Sequence, residues 1–90
     1  MVVVRIPTPL RKFADGKAQI EVEGKSVREA FDSLDVTCEG IKGKVFDDEG
    51  DVRRFINVFV NGEDIRHLKG PDTELSAGDE LSIVPAIAGG

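Results

Sequence analysis

Apolar and polar residues alternate near both ends of the chain and recur with a helical period between. Val2, Val4 and Ile6 alternate with Val3 and Arg5, a period of two that predicts a strand. Pro7 and Pro9 stop it, because proline has no N–H to give to a ladder, and Pro9 to Ala14 fits a short helical turn. Asp15-Gly16 reads as a turn, and Ala18, Ile20 and Val22 as a second strand antiparallel to the first. Ser26 and Glu29 then have the spacing of a capping box, in which each side chain serves the other's backbone N–H. Val27, Ala30, Phe31 and Leu34 fall on one face of the helix that follows, with Arg28, Asp32 and Ser33 on the wet side. β-Branched Val36 and Thr37 mark its end.

Residues 38–53 are the least regular, because Gly40, Gly43 and Gly50 interrupt them. Ile41, Val45 and Phe46 fit the anchors of a second short helix, and Asp47 to Asp51 form an exposed acidic loop. Arg54 to Val60 alternates strongly, with Ile56, Val58 and Val60 on one face and Phe55, Asn57 and Phe59 on the other. Asn61-Gly62 is a hairpin signal, since both residues tolerate positive φ. Glu63 to Arg66 returns as a short edge strand whose charges oppose edge-to-edge pairing. Residues 68–73 form a loop, and Ala77-Gly78-Asp79 turns into a last strand over 80–84 with Leu81 and Ile83 inward. This order predicts an α+β fold: a mixed sheet of about five strands with one main helix across it. The folded domain is expected over residues 1–85, with residues 86–90 a flexible diglycine tail.

Composition narrows the function. Ninety residues make one domain. A net charge of −5 repels phosphate backbones, so nucleic acid is not an expected partner. Cys38, the only cysteine, rules out an intrachain disulfide and a thiolate-only zinc site, and fits a reducing compartment. No apolar run approaches the ~20 residues of a membrane span, and the N-terminal stretch is too short for a signal peptide. A cytoplasmic protein without a membrane partner is expected. His67 is the only histidine, so no histidine-based dyad or cluster exists. The acidic loop lacks the closing Glu of a calcium loop and misplaces its glycine at Gly50. No phosphate-cradling glycine loop is present. The chain is therefore expected to bind no metal or cofactor itself.

Three stretches carry a resemblance. Ile6-Pro7-Thr8-Pro9-Leu10-Arg11, Phe55-Ile56-Asn57-Val58-Phe59-Val60-Asn61-Gly62-Glu63-Asp64, and Val84-Pro85-Ala86-Ile87-Ala88-Gly89-Gly90 resemble the ubiquitin-like β-grasp sulfur carriers. That family includes the molybdopterin synthase small subunit, the thiazole-biosynthesis carrier and the cysteine-biosynthesis carrier. The Pro-Ala-(apolar)-Ala-Gly-Gly ending is most similar to the last. The resemblance implies that an adenylating, E1-like enzyme uses ATP and magnesium to activate the carboxylate of Gly90. A sulfur donor then displaces AMP to leave a thiocarboxylate, which a second, sulfur-accepting synthase consumes. The family also implies a ubiquitin-like β-grasp fold.

The tail suits that chemistry. Gly89 and Gly90 lack a Cβ and can enter a narrow channel. The residues after Pro85 can extend by about 17 Å. Ala86, Ile87 and Ala88 can hydrogen-bond to a partner groove through their backbone, with Ile87 as a side-chain anchor. Phe59 is placed outward near Val84, where the pair reads as a docking patch. The other reading packs Phe59 under the loop at residues 68–73. Two alternatives stand beside the carrier: a ubiquitin-like modifier joined to lysines through Gly90, and a plain β-grasp binding module with an idle tail.

Overall fold

The structure is a computed structural model that describes residues 1–85. The alternating segments become strands of one sheet: β1 (Val2–Arg5), β2 (Gln19–Val22), β3 (Ile56–Val60), β4 (Glu63–Asp64) and β5 (Glu80–Pro85). Two helices lie between β2 and β3, α1 (Val27–Thr37) and α2 (Ile41–Val45). The strand order is β2-β1-β5-β3-β4. β1 and β5 are parallel, and every other pair is antiparallel. A parallel pair requires a long crossover, and here everything between β1 and β5, α1 included, supplies it. The α+β mixed sheet expected from the sequence is the fold observed.

The two periods meet at the core. Val2, Val4, Val58, Leu81 and Ile83 point from the sheet onto Val27, Ala30, Phe31 and Leu34 of α1, all buried. Each of these side chains except Ala30 contributes about 1.5–3 kcal/mol by leaving water. Phe46 closes the end of α2 by setting its ring edge-to-face on Phe31, with centroids 4.9 Å apart. The short helix expected from Ile41, Val45 and Phe46 is thus present.

The structure departs from the sequence reading in three places. The Ser26 side chain accepts the Glu29 N–H as a capping box requires, but Glu29 Oε1 accepts from Lys25 N, one residue early. β3 begins at Ile56 rather than Arg54, because Arg53 to Phe55 are taken up in a turn closed by Ile56 N to Arg53 O. The edge strand expected through Arg66 stops at Asp64. Asp64 Oδ1 accepts the Arg66 N–H and starts a 3-10 turn over Ile65–His67. Ile65 is fully buried, and the turn takes the chain off the sheet edge to put it there. At the hairpin, Asn61 (φ 50°) and Gly62 (φ 89°) both take the left-handed backbone that a two-residue turn between twisted strands demands.

Candidate docking face and tail exit

The reactive end predicted from the sequence lies beyond Pro85. Gly90, Gly89, Ala88, Ile87 and Ala86 are outside the described residues. The structure does define where Pro85 stands and what surrounds it. β5 sits in the middle of the sheet, between β1 and β3, so the chain leaves from the centre of one end and not from an edge. Pro85 is the last paired residue, opposite Ile56.

Hydrogen-bond alternation explains why a proline is tolerated there. Asn61 N donates to Glu80 O at 2.9 Å, so this pair is a hydrogen-bonded one. Bonded and non-bonded pairs alternate along an antiparallel ladder. Counting along the register, Phe59 with Ser82 and Asn57 with Val84 are bonded pairs, and Ile56 with Pro85 is not. The missing N–H of Pro85 therefore faces away from β3, and its absence costs that ladder nothing. By the same parity the Ile56 carbonyl points toward the β4 side, where β4 is only two residues long. Arg66 fills the gap: Nη2 donates to Ile56 O at 2.9 Å and Nη1 to Asn57 Oδ1 at 2.8 Å.

The face of the sheet away from α1 carries the two predicted docking side chains. Phe59 stands between Ser82 of β5 and Asp64 of β4 and is half-buried. Val84, two residues beyond Ser82 on the same face, is 41% exposed. The loop at 68–73 lies elsewhere. Thr73 O accepts from Val27 N, and Arg28 pairs with Asp72 at 3.2 Å, so that loop rests against α1 on the other side of the sheet. Phe55, just before β3, is 56% exposed, more so than Val84. The sequence placed Phe55 on the Phe59 face by parity but gave it no role; an apolar residue at the start of the strand beside the tail was the available signal. Arg66 was missed altogether, because nothing in the sequence says that the edge strand ends two residues early.

The charges of this face are ordered. Arg5 Nε meets Glu80 Oε1 at 2.9 Å across β1 and β5, and the hydrogen bond and charge of Glu80 raise the guanidinium's pKa further. Asp79, at the turn into β5, accepts from Ser76 N at 2.8 Å and Asn61 Nδ2 at 3.1 Å, and these bonds hold its carboxyl below the usual range. Cys38 is 1% exposed, and burial, then the charge of Asp15, pushes its thiol up, the wrong direction for a nucleophile. His67 is exposed in the 3-10 turn. In the acidic loop, Asp47 Oδ1 accepts from Glu49 N and Asp51 N, so that carboxylate folds its own turn. Among the described residues no helix is long and apolar enough to cross a membrane.

A mixed sheet with two parallel inner strands, clasping one long helix and releasing its C-terminal strand at the centre, is a ubiquitin-like β-grasp domain. The comparisons make this definite. Residues 4–90 match the ThiS family, and the chain belongs to it. It is 35% identical to the sulfur carrier protein CysO of Mycobacterium tuberculosis, over 99% of this chain and 98% of that one. It superposes on a chain of the Amycolatopsis orientalis BexX/CysO complex with a TM-score of 0.94 and 42% identity, covering all of both chains. The small archaeal modifier protein 1 of Methanosarcina acetivorans is similar at a TM-score of 0.82 and 32% identity, over 99% of this chain and 95% of that one. The protein is a sulfur carrier, not an enzyme, and the likeness to a modifier is the weaker of the two.

Proposed function

We propose that Gly90 bears the working group of this carrier: its carboxylate is adenylated by an E1-like partner that uses ATP and magnesium, then converted to a thiocarboxylate. A second partner, a sulfur-accepting synthase, takes the sulfur for cysteine biosynthesis in the cytoplasm. Molybdopterin synthesis is the next candidate. The observation that carries the reading is the family match running through Gly90, on a chain whose last strand exits at the centre of the sheet. A carboxylate is a poor electrophile and must be activated. Activation needs close approach to a nucleotide phosphate. Two glycines allow that approach in a narrow channel. A tail able to span about 17 Å keeps the folded body outside. Phe59 and Val84 supply apolar contact for the partner beside the exit, and Ala86, Ile87, Ala88 and Gly89 line its channel by strand-like backbone bonding.

The test is intact-mass spectrometry of the chain after incubation with the activating enzyme of its own cell, ATP, magnesium and sulfide. Replacement of one terminal oxygen by sulfur is expected. A chain returned unmodified, with no AMP released, would refute the proposal.

A further inference from the structure

Of the twelve Lys and Arg side chains, six are held by oxygen partners among the described residues, in two ways. Arg5, Arg28 and Lys42 each hold a carboxylate, on Glu80, Asp72 and Asp32 respectively. Arg11, Arg53 and Arg66 are held by neutral oxygens instead. Arg11 Nε donates to Ile6 O at 3.1 Å, and Arg53 Nε to Gly43 O at 2.7 Å. Arg66 donates to Ile56 O and Asn57 Oδ1. Among the described residues no carboxylate oxygen lies within 4.0 Å of these three side chains.

The topology brings this second set to one place. β1 is parallel to β5, so the segment after β1, with Arg11 and Lys12, lies at the end where Pro85 leaves the sheet. β3 is antiparallel to β5 and starts opposite Pro85, so Arg53 and Arg54 lie there too, and Arg66 reaches back to the same Ile56. Much of the acid is elsewhere. Asp47 and Asp48 line a cleft with Arg28 and Pro71 beside α1, and Glu80 stands at the far end of β5. Nearer the exit lie Asp15, Asp51 and, at the end of α1 that meets Phe13 through Gly40, Asp35 and Glu39; Asp35 is spent on Gly40 N and Lys42 N, and Asp64 on its cap.

We propose that this collar of Arg11, Lys12, Arg53, Arg54 and Arg66 docks on carboxylates around the mouth of the channel that receives the tail. The inference rests on the reading that the tail is carried into a partner, and adds the partner's chemistry: an acidic rim. A guanidinium anchored by carbonyls keeps its whole charge, has already lost rotamer freedom, and offers its remaining N–H groups as a fork that fits a carboxylate. Phosphate of the partner's nucleotide is the less fitting target. Five residues can span at most about 17 Å, and on the proposed reading that reach would set the collar well back from the reacting carboxyl. On a chain of net charge −5, the collar is also the local inversion that orients an encounter tail-first.

Two measurements decide it. The first needs no enzyme: arginine Nε–H resonances of the labelled chain are followed while an oligoglutamate peptide is added. Shifts at Arg11, Arg53 and Arg66 with none at Arg5 and Arg28 are expected; equal shifts at all five, or none, would overturn the collar. The second uses the activating enzyme. In the Arg11→Gln/Arg54→Gln/Arg66→Gln chain, with its amide spectrum confirming the fold, KM for the carrier should rise about tenfold at low salt and lose its dependence on ionic strength, at unchanged kcat. KM and salt dependence equal to wild type, beside an inactive Gly90→Ala chain, would sink the collar and leave the carrier function standing. If the wild-type chain itself were never adenylated, the function reading would fall, and the peptide titration alone would judge the collar.

Discussion

Gly24, in the connection from β2 to α1, sets how closely the helix can approach the sheet. A Cβ built there would stand 2.6 Å from the Ala30 nitrogen, 2.8 Å from its Cα and 3.0 Å from the Glu29 carbonyl carbon. All three are backbone atoms of α1, so no rotamer change relieves the clash. Its φ is not in the left-handed range, and the cost of Gly24→Ala is therefore contact and not dihedral strain. Restoring 3.4 Å from 2.6 Å needs a retreat of roughly 0.8 Å by the first turns of α1. That would loosen Val27, Ala30, Phe31 and Leu34, each 0% exposed. Overpacking of this kind costs about 1–3 kcal/mol, and a backbone clash belongs at the upper end. Replacing glycine returns about 0.4–1 kcal/mol through the unfolded chain, leaving a net loss of about 2 kcal/mol. For a domain of this size that lowers Tm by about 8–16 °C. Thermal melts and urea titrations at unchanged m-value measure it. Gly16→Ala is the control: with φ +80° and no neighbour within 4 Å, it tests the dihedral alone. A Gly24→Ala protein melting within about 3 °C of wild type would refute the close-packing argument.

Further outcomes follow from the site. If Gly90 acts as proposed, Gly90→Ala should abolish AMP release or slow it at least a hundredfold with Tm unchanged, because a narrow channel that admits glycine excludes a methyl; this is read by pyrophosphate release. Phe59→Ala should weaken binding of the activating enzyme by about 1–2 kcal/mol in calorimetry, and affinity equal to wild type would remove Phe59 from the docking face. Asp79 is held below its ordinary pKa, so its contribution to stability is full above the unfolded value and fades as pH falls through the folded one. Acid titration by NMR should place that carboxyl low, and Asp79→Asn should flatten stability against pH in the acid range. Cys38 has the opposite sign. Its raised pKa contributes stability below the unfolded thiol's pKa, and this is lost as pH rises above it. A thiol reagent at mildly alkaline pH should react with Cys38 slowly in the native chain and rapidly in denaturant.

The sequence alone determined most of the local structure, because period and capping are properties of neighbours. Val2 and Val4, with buried Ile6 just past the strand's end, mark one face of a half-buried strand, and Val27, Ala30, Phe31 and Leu34 mark one face of a helix. Asn61-Gly62 fixed the hairpin through its backbone angles. The family was legible in the Ile6–Arg11, Phe55–Asp64 and Val84–Gly90 stretches, and with it the carrier role.

What depended on residues distant in sequence was decided by the fold. That Glu29 caps Lys25 and not Ser26, and that β4 gives way after two residues so that Ile65 can be buried, depends on how the sheet edge meets the core. The placement of Arg11, Arg53 and Arg66 around one exit arises from β1 running parallel to β5 while β3 runs against it. Strand direction and register are set by which faces bury together across the whole chain. A linear pattern of apolar and polar residues names those faces but does not say which of them meet.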